Sequence, residues 1–169
     1  MTSLLNGTNN SLVVQNLPGT ATHEKNKWLA FDARKLKHMF IKVGMTTGTV
    51  RGRLSQWEQK CQHKLTCLVP GAKIKKSLVD RFRNLSLSRP SYKTFERQSD
   101  GFWCSKSAQQ AEAQIHTLLH KKYGRGNMRC EGCAKSGSNY SIHVEWFLVP
   151  KKDLSSVFSI IDSVCRCYN

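Results

Sequence analysis

Residues 38–61, HMFIKVGMTTGTVRGRLSQWEQKC, change periodicity once, at Gly44, and that change decides the fold class. Up to Val43 the run is apolar apart from His38 and Lys42, which predicts a strand. Beyond Gly44, the residues Val50, Leu54, Trp57 and Cys61 recur at i, i+4, i+7 and i+11. That spacing marks one face of a helix starting near Thr47 or Thr49, whose hydroxyls suit an N-cap. A strand handing over to a helix is the unit from which mixed α/β domains are built, because each element must bury one face against another.

Working outward toward the N-terminus, WLAFDA at 28–33 is a second β-prone run, and ARKLK connects it to 38–44 as an antiparallel hairpin. Residues 1–26 are rich in Asn, Thr, Ser and Gly, a composition that buries too little surface to order itself, so a flexible tail is predicted there. Toward the C-terminus, KLTCLV at 64–69 reads as a third strand and KSLVDRFRNLSL at 76–87 as a helix or helical turn with Leu78, Val79, Phe82 and Leu85 inward. A polar insertion at about 86–106 follows, with no readable conformation. SAQQAEAQIHTLLHKKY at 107–123 is a strong helix, with Ser107 as N-cap and Ala108, Ala111, Ile115 and either Leu118 or Leu119 inward. NMRCEGCAKSGSNY at 127–140 reads as a Gly/Ser-rich loop and SIHVEWFLV at 141–149 as one strand. A closing helix at about 152–165 packs Leu154, Val157, Phe158, Ile161 and Val164. The fold class expected over residues 27–169 is α+β: a small, mainly antiparallel sheet of three to four strands flanked by helices.

Lys and Arg number 27 against 11 Asp and Glu, and the resulting +16 attracts polyanions over a Debye length of about 8 Å. Phosphate backbones are the natural partner, DNA first and RNA in the same class; the competing readings are a solvated basic surface kept for solubility and one matched to an acidic protein. No stretch approaches the ~20 apolar residues of a membrane span, and the first residues lack the basic and apolar regions of a signal peptide. The expected partners therefore include no membrane, and the expected address is intracellular and, for a basic domain of this kind, nuclear.

Seven cysteines are an odd number, and without a secretory signal they read as reduced thiols rather than a disulfide framework. Cys130 and Cys133 form a C-x2-C knuckle and His143 follows ten residues later, which supplies three ligands for one ion. Structural zinc is almost always four-coordinate, so a fourth ligand is required. Cys61, at the end of the first helix, is the leading candidate, with Cys67, His63 and Cys104 in reserve. The competing reading is that free cysteines act as small buried hydrophobes. Cys165 and Cys167 are expected to pack or to dangle.

In order along the chain, IKVGMTTGTVRGRLSQWEQKC, AEAQIH, the C-x2-C loop and HVEWF resemble the zinc-bearing eukaryotic branch of the T5orf172, or meiotically up-regulated gene 113-like, domains of the GIY-YIG nuclease superfamily. The resemblance spans about residues 27–150. It implies a small sheet flanked by helices and a metal-dependent endonuclease hydrolysing phosphodiester bonds, and it agrees with a structural Zn²⁺ site on Cys130, Cys133 and His143 with Cys61 as the leading fourth ligand. By motif position, Arg53 looks like the phosphate-stabilising arginine, with Arg51 as runner-up, and both count with Lys42 as nucleic-acid contacts. Glu112 of E-x3-H looks like the residue that holds catalytic Mg²⁺ or Mn²⁺, with His116 its companion and Lys42 assisting. One carboxylate suffices, because Mg²⁺ keeps most of its waters. The alternative reading of Glu112 is an exposed helix residue paired with His116, and of Arg53 a surface cation. The chain departs from the superfamily at two tyrosine positions: Phe31 falls at the first and Lys42 at the second. Glu145 stands near the position of the superfamily's late asparagine and reads equally as a salt-bridging strand residue. A phenyl ring transfers no proton, and losing a general base typically costs about 10² to 10⁴ in rate. The alternative function is accordingly a catalytically silent, zinc-stabilised module of the same fold that binds nucleic acid or protein.

Overall fold

The computed structural model describes residues 2–5, 12–15, 27–31, 37–62, 64–71, 91–134 and 137–169. Among the described residues the domain is α+β, with three α-helices and small antiparallel sheets. The strands are β1 (Thr2–Leu5), β2 (Leu12–Gln15), β3 (Leu29–Phe31), β4 (His38–Val43), β5 (Leu65–Cys67), β6 (Phe95–Glu96), β7 (Gly101–Phe102), β8 (Asn127–Cys130), β9 (Ser141–His143) and β10 (Trp146–Pro150). The helices are α1 (Val50–Cys61), α2 (Ala108–Tyr123) and α3 (Leu154–Cys167). One sheet runs β10-β4-β1-β5 and a second runs β3-β2-β8-β9, while β6 and β7 form a separate hairpin.

β4 is the axis of this arrangement. Its pleat sends Met39, Ile41 and Val43 to one face, where they join Ile115, Leu119, Phe147, Phe158 and Ile161 in the main core under α2 and α3. Phe40, on the other face, meets Val14, Met128 and Trp146, so the second sheet covers what the helices do not. A strand covered on both sides reads as a nearly continuous apolar run. Lys42 shares the face of Phe40 and is 4% exposed.

Several expectations are corrected. Two stretches of the predicted tail are strands: β1 lies between β4 and β5, and β2 between β3 and β8. Each is a four-residue run, too short to be stable alone, but paired they satisfy the N–H and C=O groups of neighbours that would otherwise be open edges. β3 pairs with β2 and not with β4, so the predicted hairpin is not formed; the edge of β4 facing away from β10 is taken by β1. The loop predicted at 127–140 begins as β8, which pairs with both β2 and β9. SIHVEWFLV is two strands in two sheets, interrupted at Val144 and Glu145. The expected antiparallel sheet of three to four strands is present as β10-β4-β1-β5, and a second four-stranded sheet accompanies it.

Other elements stand as predicted. α1 begins at Val50 with Thr49 as N-cap, its side chain accepting the Gly52 N–H at 3.1 Å. α2 turns Leu119 inward and leaves Leu118 38% exposed, and Ser107 precedes it without a side-chain cap. The helix predicted at 76–87 lies outside the described residues. Part of the polar insertion, from 91 onward, contains the β6–β7 hairpin, whose Phe102 packs with Tyr92 against Phe158 of α3 at centroid distances of 5.8–6.0 Å. No helix among the described residues is long and apolar enough to cross a membrane.

Asp162, 5% exposed, clasps this hairpin to α3: its Oδ1 accepts the Thr94 N–H at 2.8 Å and the Thr94 hydroxyl at 2.9 Å, while Arg166 meets Oδ2 at 3.3 Å. Removing the carboxylate strands two donors that have no route to water. Asp162→Ala is expected to destabilise the fold by about 2 kcal/mol in urea titration, whereas Arg166→Ala, at the exposed end, costs well under half as much.

Candidate active site and metal centre

The end of β4, the Gly44–Thr49 loop, α1 and α2 enclose an open cleft of about 940 Å³. The loop is held by local hydrogen bonds, with Thr46 Oγ1 accepting the Gly48 N–H at 3.1 Å and Thr49 starting the helix. Arg53 enters the cleft from α1 and Glu112 from α2, and Lys42 and Glu145 line it from the sheet side. The guanidinium of Arg53 is oriented by Gln56, to whose Oε1 it donates at 3.2 Å. Arg51, on the same helix, is exposed and does not line the cleft.

Lys42 carries the electrostatic weight. Its ammonium donates to Glu145 Oε2 and stands 3.3 Å from the ring centroid of Trp57, close enough for a cation–π contact. Burial lowers its pKa below the usual lysine range, and the Glu145 pair offsets part of that effect. Glu145 is held below the usual carboxylate range, first by the hydrogen bond from Lys42. Of its two sequence readings, the structure shows the salt bridge.

His116 takes a different place from the one its motif suggests. Its Nε2–H donates to the Val43 carbonyl at 2.8 Å, so Nε2 carries the proton, and Glu112 Oε1 lies 4.0 Å away. Its ring packs edge-on against Phe147, and it does not line the cleft. His116 ties α2 to the end of β4 and so fixes where Glu112 points. Phe31 belongs to β3 in the second sheet, and its side chain lies outside the described residues.

Behind the cleft, Cys61, Cys130, Cys133 and His143 bring their ligand atoms within 4.8 Å of one another, the four-residue set expected from the sequence. The two reserve thiols point elsewhere, Cys67 toward Asp100 O and Cys104 toward Tyr168 O, each at 3.7 Å. His63 lies outside the described residues. Cys165 is buried in the main core and Cys167 is exposed. The backbone makes the cluster reachable: a Cβ on Gly132 would stand 2.4 Å from Cys61 O, so only glycine lets the knuckle lie against the last turn of α1.

A metal ion fits this chemistry. His143 Nε2 is buried without a hydrogen-bond partner. Cys61 and Cys133 Sγ stand 3.2 Å apart, slightly inside the ~3.8 Å edge of a tetrahedron with Zn–S bonds of about 2.3 Å. The Cys61 thiol is pushed far above its ordinary range by hydrogen bonding with Cys130 and then by burial, and Cys133 is raised chiefly by burial. Three such thiols ionise together only around a cation that neutralises them. A Cys3His set at this spacing suits zinc.

In the sequence Trp57 reads as one more apolar helix position. It is instead the wall between the two sites: its ring also faces Arg53, 5.5 Å away, and meets His143 edge-on at 6.1 Å. The signal available was its spacing: Arg53, Trp57 and Cys61 follow at i, i+4 and i+8, a single stripe on α1.

The fold and this pair of sites define a basic α+β domain with a polar cleft and a Cys3His cluster able to hold a metal ion. The T5orf172 domain profile matches residues 22–162, and the chain belongs to that family of nuclease-like, nucleic-acid-related domains. It is also 30% identical over 160 residues to the uncharacterized protein YPL034W of Saccharomyces cerevisiae, an alignment covering 71% of this chain and 95% of that protein. No solved structure matches the chain at a significant level.

Purified protein is expected to carry about one zinc per chain by elemental analysis. Cys61→Ser is expected to lose it to a chelating dye at least tenfold more readily, and Gly132→Ala to do the same although no ligand is altered, because the added methyl pushes the knuckle off α1.

Proposed function

We propose that the cleft binds and hydrolyses phosphodiester bonds in DNA, with RNA as the chemically nearest alternative substrate, and that the protein works in the nucleus. The reading is carried by one observation: Arg53 from α1 and Glu112 from α2 open on the same cleft, beside the buried ammonium of Lys42. Arg53 offers a planar fork for two non-bridging phosphate oxygens and stabilises the charge that grows on them in the transition state. Lys42 adds a point charge in a setting of reduced dielectric, where it acts more strongly than at the surface. Glu112 is the hard oxygen donor for Mg²⁺ or Mn²⁺, which needs only one or two protein carboxylates. Such an ion supplies a Lewis acid and an activated water. His116 holds α2, and with it Glu112, at a fixed height over Val43. Zinc at the Cys3His cluster stays structural, because four protein ligands leave no open position.

A second reading, a silent module that binds nucleic acid without cutting it, is favoured by the makeup of the cleft wall. Among the described residues lining it there is no tyrosine and no histidine, and the Nε2–H of His116 is committed to the backbone. Nicking of supercoiled plasmid in Mg²⁺ or Mn²⁺ separates the two. Glu112→Gln is expected to reduce cleavage at least about 100-fold and Arg53→Ala about 10² to 10³-fold, with duplex binding falling far less for Glu112→Gln than for Arg53→Ala. Salt-dependent binding with no nicking by the unaltered protein establishes the silent module, and nicking that survives Glu112→Gln removes the mechanism.

A further inference from the structure

The hydrolytic reading uses Lys42 but gives its partner no role, and Glu145 is held unlike the residues around it. The β8–β9 ladder ends at the pair Met128↔His143 and the β10–β4 ladder begins at Trp146↔Lys42, so Glu145 belongs to neither. Its side chain is 48% exposed against 5% for Lys42. Such a pair is lopsided. The buried ammonium requires an anion, whereas the carboxylate loses little by returning to water. Trp57 covers Lys42 from one direction, and Glu145 meets it within the cleft that Arg53 also lines.

We infer that Glu145 is a placeholder for substrate phosphate: its carboxylate neutralises Lys42 until a phosphodiester oxygen takes the same position and Glu145 swings to solvent. The inference rests on the proposed reading of the cleft as a phosphodiester site. The exchange replaces one singly charged oxygen anion by another, so Lys42 is never left buried and unpaired. It also selects among ligands. A neutral or weakly anionic ligand does not displace the carboxylate, whereas a phosphodiester gripped at the same time by Arg53 does. Glu145 is thus a positioning residue that acts through Lys42 and sets specificity.

The test is binding of a short fluorescent duplex DNA to the full, zinc-loaded chain without Mg²⁺, followed by anisotropy across a salt series. Glu145→Gln keeps the shape and removes the charge; it is expected to bind about five- to tenfold tighter, with a log–log salt slope steeper by about 0.9, because no carboxylate recaptures a counterion. Glu145→Asp is expected to bind as the unaltered protein does. Equal or weaker binding by Glu145→Gln overturns the placeholder while DNA binding itself stands, and absence of duplex binding by all three proteins overturns both readings. Should Glu145→Gln not fold, carbon-13 NMR of the Glu145 carboxylate in the unaltered protein decides. Movement to the solvent-exposed shift at DNA saturation supports the exchange, and an unmoved signal overturns it.

Discussion

An ammonium group on the central strand of a sheet must be compensated where it lies, and Lys42 is compensated from two directions that between them shape the molecule. Trp57 reaches it only if α1 crosses close beneath that face of β4. Glu145 reaches it only if the chain leaves the second sheet before entering the first, which is where the strand predicted at 141–149 breaks. The cost of burying a charge is thereby converted into a cleft in which one cation is dry, oriented and close to a second, Arg53.

The same placement of α1 brings its last turn to the β8–β9 hairpin. Cys61 is the final residue of the helix, and the chain leaves it through Gln62 in a left-handed conformation with φ 56°. Gly132 lets the knuckle lie flat there, and the ring of Trp57 separates the thiols from the cleft. The two sites thus share one rigid element of twelve residues. Soft sulfur groups gather at one end of it, and hard oxygen and nitrogen groups line the cleft at the other.

Much of this was legible in the sequence because its determinants are local. The 3.6 period from Val50 to Cys61, the cap at Thr49 and the 16-residue helix after Ser107 depend on neighbours a few positions apart. The four residues of the Cys3His cluster were legible because ligand spacing and the demand for a fourth donor narrow the choice. What could not be read was partnership. Nothing in Thr2–Leu5 announces that β4 needs a neighbour, and Asn127–Cys130 looks like a loop until β2 and β9 flank it. The pairing of Lys42 with Glu145 joins residues 103 positions apart, and nothing in the E-x3-H motif announces that the His116 ring nitrogen meets the Val43 carbonyl. Period and composition report what a segment can bury, not which edge or charge awaits it.

The two strands drawn from the first fifteen residues bear on how the chain comes together. β2 joins β8 across more than a hundred residues, and β10 joins β4 across a similar span, so each sheet closes late and at a high entropic cost of loop closure. Until then β4 and β8 offer bare hydrogen-bonding rims to any other chain, the usual beginning of aggregation during synthesis. Without those two strands the rims would stay open for good, and the yield of soluble protein would fall for reasons unrelated to either the cleft or the cysteine cluster.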